Sequence, residues 1–479
     1  MRKIFLLPFC VFLLLNGQAN TKPVSSYRIG QNSSPAPGLA GNGITDISAS
    51  GKAIWFGTGH GLSRTKDSGL SFETFSGVEG MGAGSVSGLW TSGDTIWVAT
   101  AGDSFVKTVG QVLDFGTGLS VSVDGGQSWQ HFDQPGPTPI QNLTYDIAVQ
   151  RGIVWITSFG GGLQKSEDWG HTWSVVPPDE YLFDPGKWVN HRAFSAIVVG
   201  DALYVGTAGG INKSLDGGQT WVSFNHTNQQ QPISGNFIVA LAHQQWKDKS
   251  ILWAGTWKAE DENEFYAVSK SEDGGQTWQT TLHDEKPHNF AFDDSIVYVA
   301  AESGLYKSVD LGETWYLFPT IEDPLKQEQV LTRDFYSAYA EKGDLWAGSA
   351  DGLARTTNDG YDWEIIRAFR PTGKNGEPRT YAYPNPFSPK RHNILQEDGY
   401  VRIQYNTLKP STVTIKVFDF AMDLVTTILE SQRRPGPRDL NELWNGKNDF
   451  GDEVANGVYF YSVDIENDGT YWGKILVAN

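Results

Sequence analysis

Ser308-Val309-Asp310-Leu311-Gly312-Glu313-Thr314-Trp315 sets how the rest of this sequence is read. The same pattern, Ser/Thr-x-Asp-x-Gly-x-Thr/Ser-Trp/Phe, stands at 65–72, 122–129, 166–173, 214–221 and 271–278. A seventh copy at 356–363 carries Asn358 at the aspartate position and Asp362 at the threonine position. Successive copies end 37 to 57 residues apart. A pattern recurring at such a period marks a repeat architecture, in which each copy is one small unit stacked on its neighbours.

A second marker counts the same units. Upstream of each copy lies an apolar strand centred on Trp55, Trp97, Trp155, Tyr204, Trp253, Tyr298 or Trp346. Two residues on, the chain is small at Gly57, Ala99, Gly206, Gly255, Ala300 and Gly348, with Thr157 the exception. Another short strand precedes that one, a third leads into the eight-residue box and a fourth begins at its terminal aromatic. Four strands per unit predict an all-β chain with a seven-bladed β-propeller over 43–369. In each box a carboxylate can accept hydrogen bonds from its own turn, and glycine supplies the positive φ the turn needs. Asp67, Asp124, Asp168, Asp216, Asp273 and Asp310 are therefore expected to be structural.

On these residues the sequence resembles the Asp-box, or BNR, repeat of sialidases, sortilin-type receptors, xyloglucanases and photosystem II assembly factors. The resemblance covers roughly 43–369 and implies the fold. It leaves function open, because those families do unrelated things on one scaffold.

Working outward, Met1-Arg2-Lys3, an apolar run over 4–15 and Gly17-Gln18-Ala19 predict a signal peptide over 1–19, followed by an N-terminal segment over 20–42. That run is too short to span a bilayer, so no transmembrane segment is expected in the mature chain. The only cysteine, Cys10, lies inside the leader, which excludes disulfides and cysteine-based metal or nucleophilic sites from the exported protein. No cofactor and no metal site is expected. The formal charge of −18, with acidic residues scattered, excludes a nucleic-acid partner, which would need a concentrated basic face.

Pro371, Gly373, Gly376 and Pro378 mark a linker over 370–380, and a second domain is expected over 381–479. It opens Tyr383-Pro384-Asn385-Pro386-Phe387, alternates apolar residues at Val401, Ile403, Tyr405 and at Val413, Ile415, Val417, and carries Gly457-Val458-Tyr459-Phe460-Tyr461. This stretch resembles the Ig-like domain of flagellar hook-capping proteins and the C-terminal sorting domains of type IX secretion. The resemblance implies a small Ig-like β-sandwich recognised by secretion machinery, and a protein secreted or displayed at the outer cell surface.

Variable repeat spacing places extra length at 101–118, 174–191, 222–236, 256–266 and 316–333, all at one rim of an up-and-down blade. Irregular loops on a rigid scaffold are where recognition residues concentrate. Trp188, Asn190, His191 and Arg192 in one loop, Trp257, Lys258 and Tyr266 in another, and Arg333 are the candidate ligand-binding residues, of a kind suited to a carbohydrate or peptide. No catalytic residue is assigned. Tyr27-Arg28-Ile29 echoes a sialidase motif, but sialidases have six blades. Xyloglucanases hold two carboxylates across a cleft between two propellers, and one is present here. The expectation is accordingly a non-enzymatic binding propeller. The alternative is a glycoside hydrolase of sialidase or xyloglucanase type; a third reading, an assembly chaperone, leaves the tail unexplained.

Overall fold

The computed structural model describes residues 36–107, 110–138, 141–370, 372–373 and 377–479. The expected signal peptide and the Tyr27 to Gly30 motif lie outside them. The described residues contain no α-helix, only strands, turns and one 3-10 turn at Val189–His191. The described residues divide into two compact units, one lying within 1–321 and 334–368, the other within 322–333 and 369–479.

In the first unit, strands Ile44–Ser50, Ala53–Thr58, Gly61–Thr65 and Glu73–Thr74 form an antiparallel sheet in chain order. Ala36–Pro37 pairs with Glu73–Thr74 as an extra outer strand. Six more sheets follow with the same four-strand order, beginning at Ser85–Ser92, Thr144–Gln150, Ala193–Val199, Phe237–Trp246, Pro287–Asp293 and Phe335–Glu341. Each of these first strands packs against the first strand of the next sheet, and Phe335–Glu341 packs against Ile44–Ser50, so the succession returns to its start. This is a β-propeller.

The two sequence markers turn out to touch. The box glycine of each sheet presses on the aromatic core of the preceding one: a Cβ at Gly312 would lie 2.7 Å from the Trp253 ring, at Gly218 2.7 Å from Trp155 and at Gly126 2.8 Å from Trp55. Gly69 meets Trp346 at 2.7 Å in the same way, which joins the last sheet to the first. These glycines also have φ between +83° and +86°, where a side chain is strained. The small residue after each second-strand aromatic has a matching task, since a Cβ at Gly57, Gly206 or Gly348 would strike Val86, Ile238 or Ile44 of the adjoining first strand at 2.6–2.7 Å.

A third element of the repeat completes the seam. The residue before each box is Arg64, Lys165, Lys213, Lys270, Lys307 or Arg355, with Val121 the exception. Arg64, Lys213, Lys270 and Arg355 lie 4.7–5.9 Å over the second-strand ring of their own sheet. They then reach box carbonyls of the following sheet: Lys270 Nζ donates to Leu311 O at 2.8 Å, and Arg355 Nη1 to Ser68 O at 2.7 Å. Inside the first six boxes the aspartate accepts hydrogen bonds from its own turn. Asp310 Oδ1 accepts from Ser308 Oγ at 2.7 Å and Thr314 N at 2.9 Å, and Oδ2 from Thr314 Oγ1 at 2.6 Å.

The second unit packs a three-stranded sheet, Thr380–Tyr383, Val401–Thr407 and Arg438–Trp444, against a four-stranded one ordered Leu424–Arg434, Ser411–Phe418, Gly457–Ile465, Gly469–Val477. Val401, Ile403, Val413, Ile415, Tyr461, Val463 and Ile475 fill the space between. Its opening motif guards the last strand. Asn385 Nδ2 donates to Lys474 O at 2.8 Å while its Oδ1 accepts from Leu476 N at 3.0 Å, and Phe387 N donates to Leu476 O at 2.8 Å. An otherwise open sheet edge is thereby occupied.

Candidate functional site

Successive strands of each sheet are antiparallel, so their connections alternate between two rims. At one rim lie the boxes and the two-residue turns between first and second strands, such as Gly51-Lys52, Gly93-Asp94 and Lys342-Gly343. The other rim carries every long connection of the unit.

Its most prominent feature is the hairpin of Thr95–Val106 and Gln111–Ser122, strands of 12 residues where the first sheet has 6 and 5. Beyond a register shift at Ala101 the hairpin continues as a two-stranded ribbon, with Phe105 and Val112 opposed and exposed near its tip. Asp103 and Asp114 are direct cross-strand partners on that same face. Directly opposed residues have Cβ atoms about 4.5–5.5 Å apart, and like charges there repel. Asp114 is exposed on the ribbon, yet desolvation by the chain beside it, and then the Asp103 charge, hold its carboxyl above the ordinary carboxylate range. The ribbon's base is fixed by Gln141 N donating to Asp114 O at 3.2 Å and Gly116 N to Asn142 O at 3.1 Å.

All seven first strands are bulged where they leave this rim, the strand register skipping Thr45, Ser87, Tyr145, Phe194, Val239, His288 and Tyr336. Bulges re-aim side chains at functional rims. Here four of them, Tyr145, Phe194, His288 and Tyr336, join Phe237 and Trp257 of the fifth sheet in an aromatic arc: Tyr145–Phe194 at 5.5 Å, Phe194–Phe237 at 4.3 Å, Phe237–Trp257 at 6.1 Å, Trp257–His288 at 5.8 Å and His288–Tyr336 at 6.0 Å. His288 Nε2 stands 3.1 Å from Asp334 Oδ1. Burial, and then the Asp114 charge, push the Tyr145 hydroxyl well above its ordinary range, so it stays protonated.

The loop 176–192 is held rigidly. His191 Nδ1 accepts from Asp184 N at 2.9 Å, which leaves Nε2 protonated and donating to Asp179 Oδ1 at 2.9 Å. Asn190 Oδ1 accepts from Thr207 Oγ1 at 2.8 Å and Asn212 Nδ2 at 2.7 Å, and Arg192 Nε donates to Pro185 O at 2.7 Å. These three candidates brace the loop that carries them. Trp188 differs: it stacks on Tyr181 with centroids 4.1 Å apart and planes 11° apart, and Tyr181 remains 54% exposed. Trp257 is buried and donates from Nε1 to Pro287 O at 3.2 Å, with Tyr266 edge-on at 6.1 Å. Lys258 Nζ donates to Glu262 O at 3.4 Å. Arg333 falls in the second unit.

The opposed aspartates and the bulge residues escaped the sequence reading. The former are 11 positions apart and meet only because the hairpin is long. The latter did leave a trace, since Thr45, Ser87, Tyr145, Phe194, His288 and Tyr336 each precede their second-strand aromatic by ten residues. Among the described residues no group of three or more His, Cys, Asp or Glu could hold a metal ion.

No family model matches the chain. Over 154 residues it is 30% identical to a xyloglucanase from Paenibacillus sp, a stretch covering 26% of this chain and 14% of that protein. The crystal structure of the GH74 xyloglucanase from Xanthomonas campestris is similar at a TM-score of 0.52 and 13% identity, over 93% of this chain and 74% of that one. The GH74 enzyme of Niastella koreensis is similar at 0.51 and 12% identity, over 94% and 75%. These structures are BNR-type β-propellers, and the likeness is one of fold. The expectation of a non-enzymatic binder is contradicted by the xyloglucanase relative, which favours the glycoside hydrolase alternative. A single propeller does not exclude the hydrolase reading, because two carboxylates can also face each other within one hairpin, as Asp103 and Asp114 do.

Proposed function

We propose that this protein is an exported glycoside hydrolase of xyloglucanase type, acting on a β-linked polysaccharide at the irregular rim of a seven-bladed propeller. The opposition of Asp103 and Asp114 carries the reading. A cross-strand pair puts two carboxyl groups near the ~5–5.5 Å separation of retaining glycosidases. In such a pair the group with the raised pKa is the acid. Asp114 gives its proton to the glycosidic oxygen as an Asp103 oxygen attacks the anomeric carbon and the C–O bond breaks. Water then attacks that carbon, its proton returns to Asp114 and the Asp103 ester is cleaved. The exposed Tyr181 face, set by Trp188, provides a platform for a sugar ring.

Release of reducing ends from soluble xyloglucan by the purified protein tests this. Asp114→Asn should lower kcat ~10²–10⁴-fold, the range for a general acid, with the fold unchanged. Wild-type protein that captures the polysaccharide without cleaving it would overturn the proposal. In the same reading residues 1–19 direct export, and the C-terminal unit is an Ig-like sorting domain engaged by secretion machinery.

A further inference from the structure

Strand Val401–Thr407 of the second unit is buried along its whole length, although only Val401, Ile403 and Tyr405 face the sandwich core. The alternate positions are polar and equally hidden: Arg402 is 1% exposed, Gln404 2% and Asn406 5%. Something polar must cover them, because a buried cation without acceptors is costly. Part of the cover is the segment leading into the unit, as Asn406 Nδ2 donates to Thr372 O at 3.0 Å. The rest comes from far upstream. Residues 322–333, which the sequence reading took for a propeller loop, leave the first unit after the sixth box and return before the last sheet. They form a small hairpin, Glu322–Asp323 paired with Glu328–Gln329. Arg402 Nη2 donates to Gln329 O at 3.0 Å and Nη1 to Asn441 Oδ1 at 3.0 Å, and Arg438 Nη1 donates to Leu325 O at 2.9 Å. Val330 and Leu331 of the arm are fully buried.

We infer that the arm 322–333 is a captive ligand of the C-terminal sandwich, gripped through its backbone carbonyls by Arg402 and Arg438. The sandwich is thus retained by the propeller even when the chain between them is cut. Chain connectivity explains the consequence. The arm is joined covalently to the propeller at both ends, so scission at 368/369 leaves the sandwich bound to a segment the propeller still owns. The inference does not depend on the proposed hydrolase activity.

A site for a specific protease inserted between Ala368 and Phe369 of the full chain tests it. After complete cutting, the two pieces should co-elute in size-exclusion chromatography at micromolar concentration and separate in denaturant. Pieces that separate without denaturant would overturn the inference. In a second variant a Gly/Ser segment replaces 322–333, and the same cut should release the sandwich; pieces that stayed together without the arm would also overturn it. Arg402→Ala with Arg438→Ala, which keeps the arm, should weaken retention at least tenfold, read as dissociation on dilution. Unchanged retention would show that those two cations do not grip the arm.

Discussion

The two rims of the propeller are built from the same strands by opposite rules. At the box rim each turn satisfies itself and the neighbouring sheet: carboxylate bonded to its own turn, glycine against the preceding aromatic, cation reaching the next carbonyl. At the other rim the connections differ in length from sheet to sheet, two carboxylates oppose each other, and side chains brace loops rather than sheets. Energy spent on closing the ring is concentrated where the sequence repeats, which leaves the irregular rim free to hold groups that do not stabilise the fold. Changes at the box rim should therefore cost stability, and changes at the other rim function.

The largest effect is expected at the seam glycines. Gly312→Val forces a Cβ to within 2.7 Å of Trp253 at a φ of +85°. Overpacking costs about 1–3 kcal/mol and the left-handed backbone about 1–2 more, so a loss of ~2–5 kcal/mol should appear in urea unfolding. A midpoint within error of wild type would break the comparison. Arg355→Ala comes next. Its guanidinium is bidentate to Asp344 at 2.8 and 2.9 Å, lies over Trp346 and reaches Ser68 O. Its removal should cost about 1–3 kcal/mol. Lys258→Ala at the opposite rim, exposed and making one long bond, should stay within about 0.5 kcal/mol of wild type.

Much of this difference was legible before any coordinates. The all-β propeller fold, the strand order within each sheet and the rim carrying the long loops follow from two sequence markers. What the sequence hid is contact between units. Gly312 and Trp253 belong to different repeats, and nothing local in either says that they meet. The cations before the boxes were equally visible and went unread, because a lone Lys270 on a strand gives no sign of a carbonyl in the following sheet. The candidate site was harder still. His191, Asn190 and Arg192 have the composition of a binding loop, yet their hydrogen bonds point inward, and composition cannot distinguish a brace from a ligand group. Asp103 and Asp114 required the hairpin register, which no short-range pattern supplies.

Acid should separate the rims by sign. Hydrogen bonds from Ser128, Thr172 and Thr314 side chains, then from their backbones, lower Asp124, Asp168 and Asp310 to about 2. The unfolded carboxyl, near 3.8, takes up its proton first, so this stabilisation is present above about pH 4 and lost as pH falls towards 2. Asp114 runs the other way. Its raised folded value makes ionisation a cost to the native state at neutral pH, relieved as pH falls through that value, so Asp114→Asn should slightly stabilise the protein at pH 7. Urea midpoints between pH 7 and pH 2, with Asp310→Asn flattening the acid slope, check both signs.

A further test probes the box chemistry itself. In the last sheet donor and acceptor are exchanged: Asn358 Nδ2 donates to Asp362 Oδ2 at 2.8 Å, while Asn358 Oδ1 accepts from Asp362 N at 2.9 Å and Thr356 Oγ1 at 3.0 Å. The turn is preserved with its polarity reversed, which shows that what the box requires is one donor facing one carboxylate across four residues. Asn358→Asp restores the repeat's consensus residue yet should destabilise, because it removes the donor and sets two exposed carboxylates against each other, at a cost of about 1 kcal/mol at pH 7. Adding Asp362→Thr should recover the loss by rebuilding the hydroxyl-to-carboxylate bond of the other six boxes. A double-mutant cycle measures that coupling directly, and additivity would mean that the seventh box tolerates its sequence for reasons unrelated to this hydrogen bond.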